Sequence, residues 1–380
     1  MKTDHKQRTK TTNKDNTMKN IKTIAVKIKM AGSGIVNFDS SDLGFAVNQS
    51  INTTVKSRHS NVNYAKSSFH LGKIGEKEGM IRSLRISSDC MRHAIHIEGH
   101  PFHTPNVASN DVTKVHYLAN TDTLLRGYLI ANTGERRKSC YSITSAKEVS
   151  GASPTLETLS RSGAKDTSGV EGKGDTTLFT RDNVGDTEYE AEMYIDLSEL
   201  SLISLSDLAD RRAIMDDLVP EYSKALSENL GSTVPAPEYF IKRGSAYLIP
   251  EKGIQLTDEQ VRLLVKTLLK KVAAVNINKS QTGYAKVTSI LVAGIEDVLE
   301  ETEDESFVAV YKEGKFSSKA LEGVMESFHN LYTRMDFADA EKKIKEYEES
   351  NALANKKSAE KKKAKGKKGK EEETETDSAE

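Results

Sequence analysis

The segment Ile21–Met30, IKTIAVKIKM, constrains the fold more than any other stretch of the chain. Ile24, Val26, Ile28 and Met30 alternate with Lys27 and Lys29. That is the period of a strand with one face buried and the other open. Thr187–Leu197 (TEYEAEMYIDL) alternates again, Tyr239–Ile249 reads as a strand, and Tyr284–Val292 (YAKVTSILV) supplies a last core strand. Helical patterns lie between them. Ser88-Asp89 caps a helix through Met91, His93, Ile95 and Ile97. A second helix, around Thr121–Ile130, carries Leu124, Leu125, Tyr128 and Leu129 on one side. Asp207–Asn229 reads as helical, restarting at Pro220 and ended by Gly231. Thr257-Asp-Glu-Gln260 is a capping box, and Val261, Leu264, Val265, Leu268 and Val272 then form an apolar stripe.

The remaining segments are polar. Residues 1–20 read as a disordered basic arm. Phe45–Gly79 is too polar for core and reads as a protruding hairpin or loop, and Lys147–Asp182, rich in Gly, Ser and Thr, as a long mobile loop. From Glu296 the chain reads as an acidic helical extension over 296–355, with a polar helix at Asp336–Ser350. A lysine run and then an acidic run over 356–380 read as a disordered tail. With insertions removed, residues 21–295 order as β-α-β-β-α-β. The expected class is α+β: a ferredoxin-like palm of the kind RNA-recognition domains use, with large finger and thumb insertions.

Composition narrows the functional classes. The two cysteines, Cys90 and Cys140, cannot make a disulfide scaffold in 380 residues, so a reducing cytoplasm fits. No apolar run approaches the roughly 18–20 residues that span a bilayer, and Met1–Asn20 lacks the apolar stretch of a signal peptide. A net charge of −1 argues by itself against a dedicated nucleic-acid binder. The charge is segregated, however. Nine Lys or Arg between Lys2 and Lys29 face only Asp4 and Asp15, whereas Glu296–Glu305 and Asp336–Glu349 are acidic. Such a chain can present a basic and an acidic face, and copies of it can attract each other head to tail.

Each chemically suggestive cluster has two readings. Lys27 and Lys29 running into Gly32 and Gly34 suit a groove for a sugar–phosphate backbone, or a solvated face with a hairpin turn. Cys90, His93, His96, His100 and His103 have the residue types of a metal site, but Gly99 and Pro101 break the helical face and no second cysteine pair completes it. Asp39 and Asp42 suit metal-assisted phosphodiester cleavage, or an ordinary turn. Arg126 with Arg136, Arg137 and Lys138 suits phosphate recognition, or a solvated helix end. The sequence contains no P-loop, dinucleotide glycine fingerprint or nucleophile elbow.

An ordered set of segments resembles one family. They are KIKMAGSGIVNF (27–38), RISSDCMRHAI (85–95), LLRGYLI (124–130), GAKD (163–166), GDTEYEAEM (185–193), LISLSDLADRRA (202–213), YFIKRG (239–244) and TGYAKV (282–287). Together they resemble the backbone subunit of the minimal variant type I-F CRISPR Cascade, and plasmid-borne type IV backbone subunits are similar in less detail. The resemblance implies a non-catalytic protein that binds the guide RNA (crRNA) and polymerises along it in antiviral defence. Its partners would be copies of itself in a helical filament, cap and guide-processing subunits, and target nucleic acid paired to the guide. No cofactor, metal or membrane is expected. Carried onto this chain, the RNA contacts fall on Lys27, Lys29, Gly32, Ser33 and Gly34, then on Met91, Arg92 and His93. Arg126 and Lys165 extend the set, the local basic cluster adds Arg136 and Arg137 to the expected RNA contacts, and Lys56, Arg58 and Tyr64 mark a thumb at Asn48–Lys73. Asp39 sits near the position where target-RNA-cleaving type III relatives carry their acid, so metal-dependent cleavage is an alternative. A virus- or plasmid-borne inhibitor of a host complex is another, because the acidic extension and charged tail lie outside the resemblance.

Overall fold

A computed structural model describes residues 20–34, 67–74, 77–97, 112–131, 133–150, 155–162, 176–183, 185–207, 211–243, 249–279, 283–296 and 306–352. Strand β1 spans Thr23–Gly34, and β2 (Ser67–Ile74) pairs with β3 (Lys77–Ile86). Helices α1 (Ser88–His96), α2 (Val112–Leu118) and α3 (Thr121–Arg126) follow. Next come the short strands β4 (Tyr128–Leu129), β5 (Arg136–Arg137), β6 (Tyr141–Ile143) and β7 (Ala146–Glu148). A hairpin of β8 (Thr155–Ser162) and β9 (Thr176–Asn183) precedes β10 (Asp186–Asp196), α4 (Leu197–Ser201) and β11 (Leu202–Ser204). Helix α5 (Val219–Leu230) leads to β12 (Glu238–Lys242), β13 (Glu251–Gln255), α6 (Asp258–Ala273), β14 (Asn276–Lys279) and β15 (Gly283–Ile295). Then come β16 (Val308–Lys312), β17 (Lys315–Phe316), α7 (Ser318–Met325), β18 (Tyr332–Met335) and helix α8 over 337–352.

The main sheet runs β17-β16-β15-β1-β10-β7-β3-β2, with β14 also on β15 and β6 also on β10. Its pairings are antiparallel, so the architecture is α+β. Alternation along β1 does what its pattern requires. Ile24, Val26, Ile28 and Met30 are buried and share one core with Met91 and Ile95 of α1 and Leu264, Val265 and Leu268 of α6. Each such aliphatic side chain contributes about 1.5–3 kcal/mol by leaving water. Helix α6 starts where its capping box predicts. The Gln260 amide donates to Thr257 Oγ1 (3.2 Å), and the Thr257 amide donates to Gln260 Oε1 (3.0 Å). A second sheet, β11-β13-β12-β18, packs its apolar residues Ile203, Ile254 and Phe240 into the same core. No helix among the described residues is long and apolar enough to cross a membrane.

The structure departs from the sequence expectations at several places. Ala31–Gly34 is not a turn: β1 continues through it, with a register shift against β15 between Lys29 and Met30. The helix expected over Thr121–Ile130 stops at Arg126. Gly127, at φ +78°, turns the chain into β4, and a β-carbon there would stand 2.5 Å from the Ser139 amide nitrogen. Helix α1 is capped by Ser87, one residue earlier than expected. Of Asp207–Asn229, only the part from Val219 is α-helical, preceded by a 3-10 turn at Asp216–Leu218. The stretch expected as one loop over 147–182 contains the end of β7 and seven of the eight residue pairs of β8 and β9. The extension expected to be helical over 296–355 contributes β16 to the main sheet and β18 to the second, because Val310, Leu331 and Tyr332 are buried there as core. Residues 1–19 of the arm, the charged tail and residues 35–66, with Asp39, Asp42, Lys56, Arg58 and Tyr64, lie outside the described residues, as do His100, His103 and Lys165.

Candidate nucleic-acid interface

Residues directly opposite on paired strands point to the same face, so register alone composes a row across the outer face of the main sheet. Lys312 of β16 opposes Ser289 of β15, and Ser289 opposes Lys29 of β1. Lys29 opposes Glu190 of β10, Glu190 opposes Lys147 of β7, and Lys147 opposes Arg85 of β3. Six strands at about 4.8 Å spacing make this row about 24 Å long. It holds four cations and one carboxylate. Lys312, Lys29 and Lys147 are exposed, and Arg85 is half-buried. Lys29 Nζ stands 3.2 Å from Glu190 Oε1, with both side chains about half exposed (54% and 51%), so the pair is solvated and weak. Beside the row, Lys27 opposes Glu192 and Leu291, and its ammonium lies 4.3 Å from the centroid of the Phe307 ring.

A second cationic group lies on the helical side. The Arg92 guanidinium sits over the Tyr141 ring, 5.1 Å from its centroid, and Arg92 Nη2 donates to the Arg126 carbonyl at 3.4 Å. The support beneath is buried. His96 joins Asp122 Oδ1 through Nδ1 (2.9 Å) and the Tyr141 hydroxyl through Nε2 (2.8 Å). Lys271 Nζ reaches the same Asp122 oxygen at 3.0 Å. Burial works to raise the Asp122 pKa, but the hydrogen bonds from His96 and Lys271 outweigh it and hold the carboxyl below its ordinary value. Burial pushes the Tyr141 hydroxyl up to about 12, against the nearby Arg92 charge.

The structure divides the sequence-expected contacts. Lys27, Lys29 and Ser33 share the outer face, and Arg92 meets Arg126, while His93 is exposed on α1. Arg136 is half-buried, with its backbone amide donating to the Arg212 carbonyl. Gly32 is a packing glycine: a β-carbon there would stand 2.0 Å from the Tyr284 carbonyl oxygen. Gly34 ends β1 at φ +74°. Two residues are corrected. Met91 is fully buried and belongs to the core. Arg137 is turned inward, its guanidinium donating to the carbonyls of Leu124 (3.1 Å), Leu202 (3.2 Å) and Glu199 (2.8 Å), which fills the fork that a phosphate would need. Both ring nitrogens of His96 are likewise engaged, and no group of three His, Cys, Asp or Glu suited to a metal occurs among the described residues. Lys147, Arg85 and Lys312 were missed. Lys312 had a signal, since the short apolar run Val308–Tyr311 leads into Lys312 and the Glu313-Gly314 turn, whereas only register aligns the other two with Lys29.

These features define an α+β protein that carries cations on one face of an antiparallel sheet, exposed among the described residues. Residues 20–318 match the family described as Type I-Fv CRISPR-associated protein Cas7fv-like, and the chain belongs to that family. No curated protein matches the chain. Among solved structures, a chain titled CRISPR RNA-guided surveillance complex is 12% identical, covers 74% of this chain and 76% of its own, and has a TM-score of 0.34. A second, titled CRISPR RNA-guided surveillance complex, pre-nicking, is 12% identical over 78% of this chain and 82% of its own, with a TM-score of 0.35.

Proposed function

We propose that this Cas7-type protein binds guide RNA without cutting it, as a backbone subunit that polymerises along the guide. The row Lys312–Lys29–Lys147–Arg85 carries the reading. A line of cations about 24 Å long on a sheet face suits a single strand crossing it, because phosphate neutralisation dominates such binding. Strand order supports a ferredoxin-like palm. β15, β1, β10 and β7 stand side by side as fourth, first, third and second in the chain, with α1 after the first and α6 before the fourth. Lys27, Ser33, Arg92, His93, Arg126 and Arg136 extend the contact surface. Residues about 45–79 serve as the thumb, 147–182 as the finger, and 296–355 as an added extension. Neighbouring copies, cap and guide-processing subunits, and a target paired to the guide are the partners, in the cytoplasm.

Expression with a cognate repeat–spacer RNA tests this. The protein should purify with RNA of guide length, in oligomers that shrink after ribonuclease treatment. A monomer free of nucleic acid under those conditions overturns it.

A further inference from the structure

On the helical side of the main sheet, a depression of about 430 Å³ lies between the end of α1 and the C-terminal half of α6. Ala94 and Ile97 form one wall, and Thr267, Lys270, Lys271 and Ala274 line the other. Ile97 is 53% exposed. Leu263, one turn before Thr267 on the same side of α6, is 42% exposed. The outer stripe Leu263–Thr267–Lys270–Ala274 is therefore about 17 Å long. From Gln260 to Val275 the chain carries four cations, Arg262, Lys266, Lys270 and Lys271, and no carboxylate. Arg262 is occupied by the carbonyls of Met325 and Phe328, and Lys271 by Asp122. Lys266 and Lys270, one turn apart, thus give the groove its positive sign. Apolar walls beside two lysines suit the apolar side of an acidic helix.

Helix α8 has that character. Of residues 337–352 only Ala340 is buried, although a helix of this length ordinarily draws its stability from packing one face. Ile344 and Tyr347 are half-buried, and Glu341 and Glu348, at helical spacing beside them, are exposed. Within one copy α8 leaves from β18, the edge of the second sheet, and the groove stays open. There Phe337 meets Tyr239 edge-on, with 5.8 Å between ring centroids. Helix α8 also lies beyond residue 318, where the family match ends, whereas both walls of the groove lie inside it.

We propose that the α1–α6 groove receives helix α8 of a neighbouring copy. Ile344 and Tyr347 lie against Ala94 and Ile97, and Glu341 and Glu348 point toward Lys266 and Lys270. A helix on one copy and a groove elsewhere on the next make a head-to-tail contact. Such a contact propagates into a filament when the rotation between copies does not close a ring. This inference rests on the polymerisation reading and adds to it the surfaces that join the copies.

The test assembles the full chain on a guide long enough for several copies and measures the mass per guide by sedimentation. Glu341→Lys with Glu348→Lys, and separately Lys266→Glu with Lys270→Glu, place like charges across the contact. Each pair of changes should weaken copy-to-copy association about tenfold or more and shorten the assemblies. Affinity for an RNA too short for two copies should not change. Mixing the two double variants should restore the native length, because each then offers its neighbour an opposite charge. Variants that assemble as the native chain does overturn the inference, and so does a mixture that stays short. Restoration only when all four changes share one chain also overturns it, since α8 then serves its own groove. In each of these cases native assembly on the guide leaves the polymerisation reading standing. A native chain that binds the guide only as single copies ends both.

Discussion

A β-carbon on Gly32 would stand 2.0 Å from the carbonyl oxygen of Tyr284. At that point β1 and β15 approach too closely for any side chain between them, so the glycine belongs to the ladder that anchors the sheet's outer face. Gly32→Ala should cost about 1–3 kcal/mol, the usual scale of overpacking, through separation of the two strands. Gly185→Ala is the control, since a β-carbon there meets nothing within 4 Å. Thermal melts of the two variants should differ clearly; equal midpoints would show that the ladder relaxes freely.

Arg137 looked like a phosphate contact in the sequence and is a structural tie in the fold. Arg137→Met removes the donors of three backbone carbonyls in the interior. It should destabilise by about 2–4 kcal/mol, given the cost of leaving buried acceptors unmet. RNA affinity per folded molecule and its salt slope should not change. A flattened slope with unchanged stability would return Arg137 to the interface.

How legible the protein was follows from which signals are local. β1, β10, β15 and the capped helix α6 were readable because burial imposes its period on neighbouring residues, and Thr257 and Gln260 satisfy their own helix end. Strand pairing is not local. Ala31–Gly34 looked like a turn because two glycines in four residues fit a turn as well as a close strand contact, and only Tyr284, some 250 positions away, decides between them. The site divides in the same manner. Lys27 and Lys29 sit on a strand whose parity was visible. Arg137 and Met91 were misread because neither local charge nor local polarity says which side of an element faces the core. The Lys312–Arg85 row exists only through register.

On the outer face, Lys29→Ala, Lys147→Ala and Lys312→Ala should each flatten the slope of log affinity against log salt. Each neutralised phosphate on a single strand contributes about 0.7 to that slope, so each variant should lose up to that amount. Their exposed positions predict little loss of stability. Titrations at several salt concentrations decide it, and unchanged slopes in all three variants would move RNA off this face.

The two cysteines should react very differently. Burial pushes the Cys140 thiol up to about 12, and its sulfur donates to the Leu125 carbonyl at 3.3 Å. The reactive thiolate is therefore scarce and shielded at neutral pH. Cys90 is only half-buried, at the start of α1. A thiol reagent should label Cys90 in the native protein and Cys140 only after denaturation. Rapid native labelling of Cys140 would show that the α3–β6 region opens readily.

Asp122 should make the helical side acid-sensitive. Its carboxylate accepts from His96 and pairs with Lys271, and these contacts outweigh burial to hold its pKa below the ordinary value. A carboxyl with a lowered folded pKa stabilises fully above its unfolded pKa of about 3.9 and loses that stabilisation as pH falls through the folded value. Asp122→Asn removes the charge at every pH. At pH 7 it should cost about 2–3 kcal/mol, somewhat below the usual loss for breaking a buried pair, because the Lys271 side chain is 23% exposed and can recover some hydration. Below pH 4 the native protein gives up the same contribution, so the two stabilities should converge. Urea midpoints of both proteins at pH 7, 5 and 3 measure this, and subtracting one from the other cancels the remaining carboxylates. A gap that stays constant from pH 7 to pH 3 would mean that the Asp122 charge adds nothing to the network, and that His96 and Tyr141 hold Arg92 in place without it.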